Sequence, residues 1–321
     1  MRVLVVTSEW PRSADDASGT GVVSQVTHLR AAGVEVDVFP LRARHDLRRY
    51  VATARSLRRG PLDSYDLIHA HHLTAGLVAL AQSQRPVVAT LYGSDVFDEA
   101  SPGQGWSSAR SLRRLACRWV ARTAQEVIAA TATLAPLLPR RRWHLIPPGV
   151  DLARFRPMPR WQARRMLGLP QQVRLVLTVE APHPAKGACL TQGAFEMLPA
   201  DLTARPLAAE AVPVTRRPLY LNACDALLLL TRGGPPNLVM EALACNLPVI
   251  ATEGGAVGRW LAGVAGCVLC PEARAAAIAT AVARVLRAES RCAGRALVQD
   301  RDERLLAQRI IRVYEQAMGW R

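Results

Sequence analysis

At 321 residues the chain is longer than one ordinary core organises, and it predicts two compact domains with a cleft between them. Half of its residues are apolar and 21% are charged, which excludes a disordered polymer, and no run of eighteen apolar residues offers a membrane span. The formal charge of +15 arises from 41 basic against 26 acidic residues; forty of the basic residues are arginine, and Lys186 is the single lysine.

Aliphatic and β-branched runs alternate with helical patterns, the signature of parallel sheets wrapped by helices. The run RVLVVT at 2–7 reads as a buried first strand. A polar loop with Gly19-Thr20-Gly21 follows, then Val22, Val23, Val26 and Leu29 recur at helical spacing up to Gly33. Further strands are expected at 34–39, 66–69, 86–91 and 127–130, with a small-residue helix near 74–81 and Leu145-Ile146 ahead of a Pro147-Pro148-Gly149 turn. This turn and Pro157 and Pro159 behind it form the densest group of chain breakers, so the domain boundary is placed there. A second alternating series follows at 174–179, 226–230, 248–252 and 266–269, and 302–318 reads as a terminal amphipathic helix.

The amino-terminal apolar run is too short for a secretory leader, and a cytoplasmic location is expected. Seven scattered cysteines fit reduced thiols; Cys267 and Cys270 form a CxxC without a second pair nearby, and buried structural thiols are the expectation. His69, His71 and His72 lack a carboxylate or cysteine at ligand spacing, so packing and loop contacts are expected of them rather than metal.

Ligands of open parallel sheets bind beyond the carboxyl ends of the strands, which directs attention to the loops after each strand. After the expected strand at 226–230 comes a Gly-Pro-rich loop leading into a helix. Pro236 suits its first turn, Asn237 is a plausible cap, and the free amides near Asn237 and Leu238 make an anion site suited to a diphosphate. Glu241, one turn further, can accept two hydroxyl hydrogen bonds, as from a ribose. The loop after 174–179 holds Lys186-Gly187, where a compact ammonium can act as a point charge for phosphates. Glycines at 19 and 21 would let backbone amides approach a phosphate or an acceptor, though three residues of this kind are equally read as a flexible loop.

With PPNLVMEALACNLPVIAT at 235–252, the chain resembles the family 4 retaining glycosyltransferases of the GT-B fold, and DLIHAHH at 66–72 and PPGVDLARFRP at 147–157 are similar to further landmarks of that family. The resemblance spans nearly the whole chain. It implies an α/β protein with two facing Rossmann-like parallel-sheet domains, an interdomain cleft and a C-terminal helix. An acceptor-binding domain is expected at 1–155 and a nucleotide-sugar-binding domain at 156–321. It also implies sugar transfer from a nucleoside-diphosphate sugar to an acceptor hydroxyl with retention of configuration, in polysaccharide or glycolipid biosynthesis. Glu241 is then expected to hold the nucleotide ribose, and Lys186 with Gly187 to neutralise the donor phosphates. Tyr92 and Asp95, in a segment similar to the family's His-Gly-x-Asp, are expected on the acceptor side. The departing phosphate oxygen can take the acceptor's proton, so no cofactor or metal is implied.

Three positions depart from the family pattern. The glutamate usual eight residues before Glu241 is Gly233, the arginine usual after the first strand of the second domain is Ala181 beside Glu180, and the loop histidine is Tyr92. Loss of one contact to a developing leaving-group charge costs ~10²–10³ in rate. The donor site is therefore either rebuilt, with Arg232 or His183 in the same loops, or the chain is a non-catalytic homologue that binds a partner or sugar acceptor.

Arg110, Arg114, Arg118 and Arg122 recur every four residues with Arg113 beside them, a basic stripe on a helix opposite Leu112, Leu115, Ala116 and Trp119. Seven more arginines fall in 42–59. Two readings stand side by side: attachment to the inner face of an anionic membrane, where a lipid-linked acceptor would sit, and a plain solvated surface. Nucleic acid is the weaker candidate, because no binding motif accompanies the charge.

Overall fold

The computed structural model describes residues 1–13, 16, 19–41, 47–96, 108–139, 143–179, 184–230, 236–253 and 255–319, without the side chains of 47–49, 108–110, 184–189, 236, 255, 256 and 259. The chain divides into two compact units. The first comprises Met1–Arg12, Ser18–Gly149 and Glu303–Arg321, and the second Ser13–Ala17 and Val150–Asp302.

The first unit runs β1 (Arg2–Thr7), α1 (Thr20–Ala31), β2 (Glu35–Pro40), α2 (Leu47–Arg59), β3 (Leu67–His71), α3 (His72–Ala79), β4 (Val87–Leu91), α4 (Ser108–Thr123), β5 (Glu126–Ala129) and β6 (Trp143–Leu145). All six strands are parallel, in the order β2-β1-β3-β4-β5-β6. Helices cover both faces, so the central strands β3 and β4 are buried along their whole length and alternate residues serve opposite layers. Val3 and Val5 pack with Val22, Val26 and Leu29 of α1, whereas Leu4 and Val6 pack with Leu57 of α2 and Val78 of α3. Gly33 takes φ +89 and ends α1: its amide donates to the Arg30 carbonyl at 3.0 Å, and the Val34 amide to that of Leu29 at 3.1 Å.

The second unit runs α5 (Arg160–Leu167), β7 (Arg174–Val179), α6 (Pro184–Glu196), β8 (Ala204–Ala208), α7 (Arg217–Ala223), β9 (Ala226–Leu229), α8 (Pro236–Ala244), β10 (Val249–Thr252), α9 (Gly255–Leu261), β11 (Val268–Cys270), α10 (Ala275–Ala288) and α11 (Gly294–Leu297). Its parallel sheet has the order β11-β10-β9-β7-β8. The short β8 was not legible in the sequence: it is an edge strand, largely exposed, and Pro206 within it lacks the amide an inner strand would need.

A buried cation holds this unit's entry. Arg164, without exposed surface, donates to the Ala223 carbonyl at 2.9 Å and the Gln171 carbonyl at 2.7 Å, and meets Asp225 at 2.7 Å. Asp225 also accepts the Leu175 amide at 2.8 Å and pairs with Arg160, so one carboxylate ties α5 and the start of β9 to β7. The six described cysteines are free; Cys267 hydrogen-bonds with Cys292 rather than using its CxxC neighbour Cys270, which lowers its own thiol and raises that of Cys292.

The last helix, α12 (Glu303–Ala317), belongs to the first unit. Leu306, Ala307, Ile310, Val313 and Tyr314 bury against α1 and the first sheet, and Glu303 pairs with His28 at 3.0 Å. The expected division at 155/156 therefore differs from the structure: the long segment of the second unit opens at Val150, whose amide donates to the Arg301 carbonyl at 2.9 Å, Ser13–Ala17 join that unit, and residues from 303 onward return to the first. Amphipathic spacing announces that a helix must bury a face, but says nothing of which sheet will cover it.

The helix at 108–123 keeps the apolar row opposite its basic stripe outside the core. Leu112, Leu115 and Trp119 are exposed, and the helix is pinned to the unit by Cys117, Val120 and Ala121 instead.

Candidate active site

In a doubly wound sheet the strand order reverses at one point, and the loops leaving the two strands beside it splay apart to leave a crevice. In the first unit this point lies between β1 and β3, since β2 adds on one side of β1 and β3 on the other. In the second it lies between β7 and β9. Each unit's candidate site is built there.

In the first unit, β3 passes directly into α3 through His71 and His72. His72 takes φ +73, a left-handed conformation that costs a non-glycine residue about 1 kcal/mol or more. Its ring is stacked on Tyr92 at 4.2 Å with 22° between planes, and both nitrogens meet carboxylates: Nε2 lies 3.2 Å from Glu9, beyond β1, and Nδ1 3.3 Å from Asp95, beyond β4. Two such partners require both nitrogens to donate, which only the imidazolium does. Burial opposes that charge, but the hydrogen bonds to Asp95 and Glu9 outweigh it and hold His72 at about 9. Glu9 is lowered in return, chiefly by its hydrogen bond to His72. One cation thus clasps the loops after three strands.

Behind it the polar chain runs inward. Tyr92 Oη lies 3.1 Å from His71 Nδ1, the His71 ring lies 4.3 Å from that of His69, and His69 sits between Tyr314 Oη at 2.6 Å and Thr90 Oγ1 at 2.7 Å. Burial lowers His69 to about 3 and His71 well below the usual histidine value, so both are neutral imidazoles. A neutral ring donates from one nitrogen only; of the hydroxyls of Tyr314 and Thr90, one accepts from His69 and the other donates to it.

The expected acceptor-side residues are therefore assembled, but differently committed. Asp95 accepts the Tyr92 amide at 2.8 Å with one oxygen and holds His72 with the other. Tyr92 turns its hydroxyl to His71, and burial raises its phenol. Gly19 precedes α1 and Gly21 lies in its first turn, where the sequence suggested a loop. Gly19 has φ +69, and a Cβ there would stand 2.1 Å from the Glu9 carbonyl oxygen. The glycine is thus demanded by the Glu9 backbone passing over it.

In the second unit, Lys186 and Gly187 lie in the first turn of α6, after β7, their side-chain surroundings outside the described residues. Pro236, Asn237 and Leu238 open α8, after β9; Asn237 is the second helical residue rather than the cap, and Leu238 is buried, so the backbone amide is what it has to offer a ligand. Both helix amino-termini therefore flank the switch point, and the positive end of a helix dipole favours an anion. Glu241, one turn into α8, is nearly buried and meets Arg217 Nη1 at 3.3 and 3.4 Å. Arg217 was not singled out in the sequence. Its one signal there is a cation just ahead of Pro218 at a helix start, an end that disfavours positive charge unless a carboxylate compensates. The substituted family positions Gly233, Ala181 and Glu180, and the proposed substitutes Arg232 and His183, lie outside the described residues. Among the described residues no group of three His, Cys, Asp or Glu could hold a metal ion.

Two all-parallel α/β units, each with its ligand loops at a switch point, define the class: the Rossmann-like GT-B glycosyltransferase fold. The chain matches the family described as Glycosyltransferase Family 4 over residues 1–154 and that described as Glycosyl transferases group 1 over residues 202–288. The protein belongs to the family 4 glycosyltransferases of the GT-B fold. It is 28% identical over 215 residues to D-inositol 3-phosphate glycosyltransferase of Thermobispora bispora, covering 53% of this chain and 50% of that protein. It is 27% identical over 353 residues to the teichuronic acid biosynthesis glycosyltransferase TuaC of Bacillus subtilis, covering 88% and 89%. HepE of Anabaena, solved with UDP and glucose, superposes with a TM-score of 0.64 at 17% identity over 97% and 98% of the two chains. The chain spans about half or less of the length of the first curated relatives it matches.

Proposed function

We propose that the chain moves a sugar from a nucleoside-diphosphate sugar to an acceptor hydroxyl with retention of configuration, in the making of a polysaccharide or glycolipid. The observation that carries this reading is the second unit's switch point, where α6 with Lys186 and α8 with Glu241 start from the carboxyl ends of the adjacent strands β7 and β9. Relatives named for inositol phosphate and teichuronic acid support a hydroxylic acceptor, and the neighbours solved with UDP and UDP-glucose support a nucleotide-sugar donor.

In this reading Lys186 and the amides of Asn237 and Leu238 hold the diphosphate and stabilise the charge it gains on departure. Glu241 orients the ribose, and its pairing with Arg217 fixes the carboxylate as an ionised acceptor in a nearly buried place. In the first unit Tyr92 and Asp95 shape the acceptor side, with His72 as the group that positions both. The departing phosphate oxygen takes the acceptor proton, so positioning and electrostatics are the protein's contribution.

One observation favours the second reading, a homologue that binds without turnover. Glu9, His72 and Asp95 satisfy one another, which leaves that cluster with less to offer a reacting sugar. Calorimetric titration with UDP-, GDP-, ADP- and dTDP-sugars separates the two. The enzyme reading expects one donor to bind, with affinity falling at least ~10-fold in Lys186→Ala and in Glu241→Gln. Glutamine keeps the shape beside Arg217 while removing the charge. Absence of binding to every donor overturns the enzyme reading.

A further inference from the structure

Three neighbouring helices of the first unit share an unusual surface. α2 packs on α3 and α3 on α4, so α3 lies in the middle of one layer over the sheet. The approach of α3 to α4 is close: a Cβ on Gly76 would stand 2.9 Å from Val120. The three sequences, LRRYVATARSLRR, HLTAGLVA and SARSLRRLACRWVART, contain ten arginines and no Asp or Glu.

At 100° per residue α4 has three sectors rather than the usual two. Cys117, Val120 and Ala121 face the unit and are buried. Leu112, Leu115 and Trp119 point the opposite way and are 67%, 64% and 48% exposed. Arg114, Arg118 and Arg122 lie between these sectors on one side, and all three are exposed, as is Arg113 nearer the start of the helix. The adjacent helices continue the pattern: Val51 of α2 is exposed with Arg55 and Arg58 one and two turns on, and Leu77 of α3 is exposed. Ion pairs among the first unit's described residues lie elsewhere, at Arg2–Asp37, His28–Glu303, His72 with Glu9 and Asp95, Arg85–Asp63 and His144–Glu126.

A solvated helix gains nothing from an outward row of Leu, Leu and Trp, and a polyanion such as nucleic acid gives such a row no apolar partner. A bilayer interface accommodates both components: acyl chains accept the apolar row while anionic headgroups meet the arginines beside it, as in interfacial amphipathic helices. We propose that the α2–α3–α4 face docks on an anionic lipid bilayer, with Leu112, Leu115 and Trp119 entering the interface. The proposal needs no assumption about catalysis, so its outcome is independent of whether the chain turns over a donor.

The test is sedimentation of the full chain with phosphatidylcholine vesicles with and without phosphatidylglycerol, at low and high salt. Binding is expected only to the anionic vesicles and is expected to weaken with salt, since exposed charges are screened. Arg113→Glu/Arg114→Glu/Arg118→Glu and, separately, Leu112→Ser/Leu115→Ser/Trp119→Ser should each bind about tenfold or more weakly. Arg205→Glu/Arg216→Glu/Arg312→Glu, which changes the net charge equally at exposed sites on other elements, should still bind. Brominated lipid should quench tryptophan emission in the wild type and quench it less in Trp119→Phe. Equal binding to neutral vesicles, absence of binding, or full binding by the serine variant overturns the proposal. So does duplex DNA or RNA bound as tightly as the anionic vesicles and with no loss in the serine variant, which would make the face a site for polyanions.

Discussion

Replacing His72 by asparagine tests the clasp at the first unit's switch point through its pH dependence. The imidazolium is held at about 9 against 6.5 for an unperturbed histidine, and each unit of difference is worth about 1.4 kcal/mol. Its bond to Glu9 involves a half-exposed carboxylate, so screening reduces the total to about 2–3 kcal/mol of folding stability. A group whose value is raised by folding stabilises fully below its unfolded value and loses that contribution as pH climbs through the folded one. The contribution of His72 is therefore complete below about pH 6.5, declines across pH 7 to 8, and is gone above about pH 9. Asparagine tolerates positive φ, so the strained backbone survives the change. Loss of the stack on Tyr92 does not depend on pH. The neutral His69 and His71 act oppositely, costing stability as pH falls below 6.5, but they are present in both proteins and largely cancel in the comparison. Urea denaturation of wild type and His72→Asn at about pH 6 and about pH 9.5 should give a gap that narrows by about 2–3 kcal/mol toward alkali. A gap of equal size at both pH values would refute the charged clasp.

Two further substitutions address what holds each unit. Asp225→Asn leaves the fully buried Arg164 without its counter-charge and should cost about 3–5 kcal/mol in urea denaturation; a loss under about 1 kcal/mol would mean that the carbonyls of Ala223 and Gln171 suffice for it. Gly19→Ala drives a Cβ into the Glu9 carbonyl from a backbone that disfavours side chains, and should both lower the thermal midpoint and, compared with Gly19→Ala/His72→Asn, reduce the alkaline narrowing by drawing Glu9 from His72 while Asp95 stays. An unchanged midpoint and pH profile would show that the Glu9 loop gives way freely.

The local elements were legible because each is dictated by residues near in sequence. RVLVVT and PVVATL are continuous apolar runs, and a strand buried on both faces has no other pattern available. The helix at 236–244 was legible from Pro236 to Glu241, and Tyr92 and Asp95, both expected on one side of the site, do meet. What they do there was not legible. His72 was read as making packing and loop contacts; its charge comes from Glu9 and Asp95, 63 residues before it and 23 after, brought together only when β1, β3 and β4 align. Arg217 escaped notice for the same reason, since its partner Glu241 is 24 residues away across two helices.

By itself, then, the sequence determined two α/β units, most of their strands, and the loops in which ligand chemistry belongs, because hydrophobic period and turn residues act over a few positions. Tertiary structure alone decided the assignments that depend on what lies across a sheet or beside a helix. It returned α12 to the first unit, because the face beside α1 needed an apolar cover. It turned Leu112, Leu115 and Trp119 outward, because Cys117, Val120 and Ala121 already occupy the inner side. Burial and charge pairing are properties of neighbours in space, and only the fold selects those neighbours.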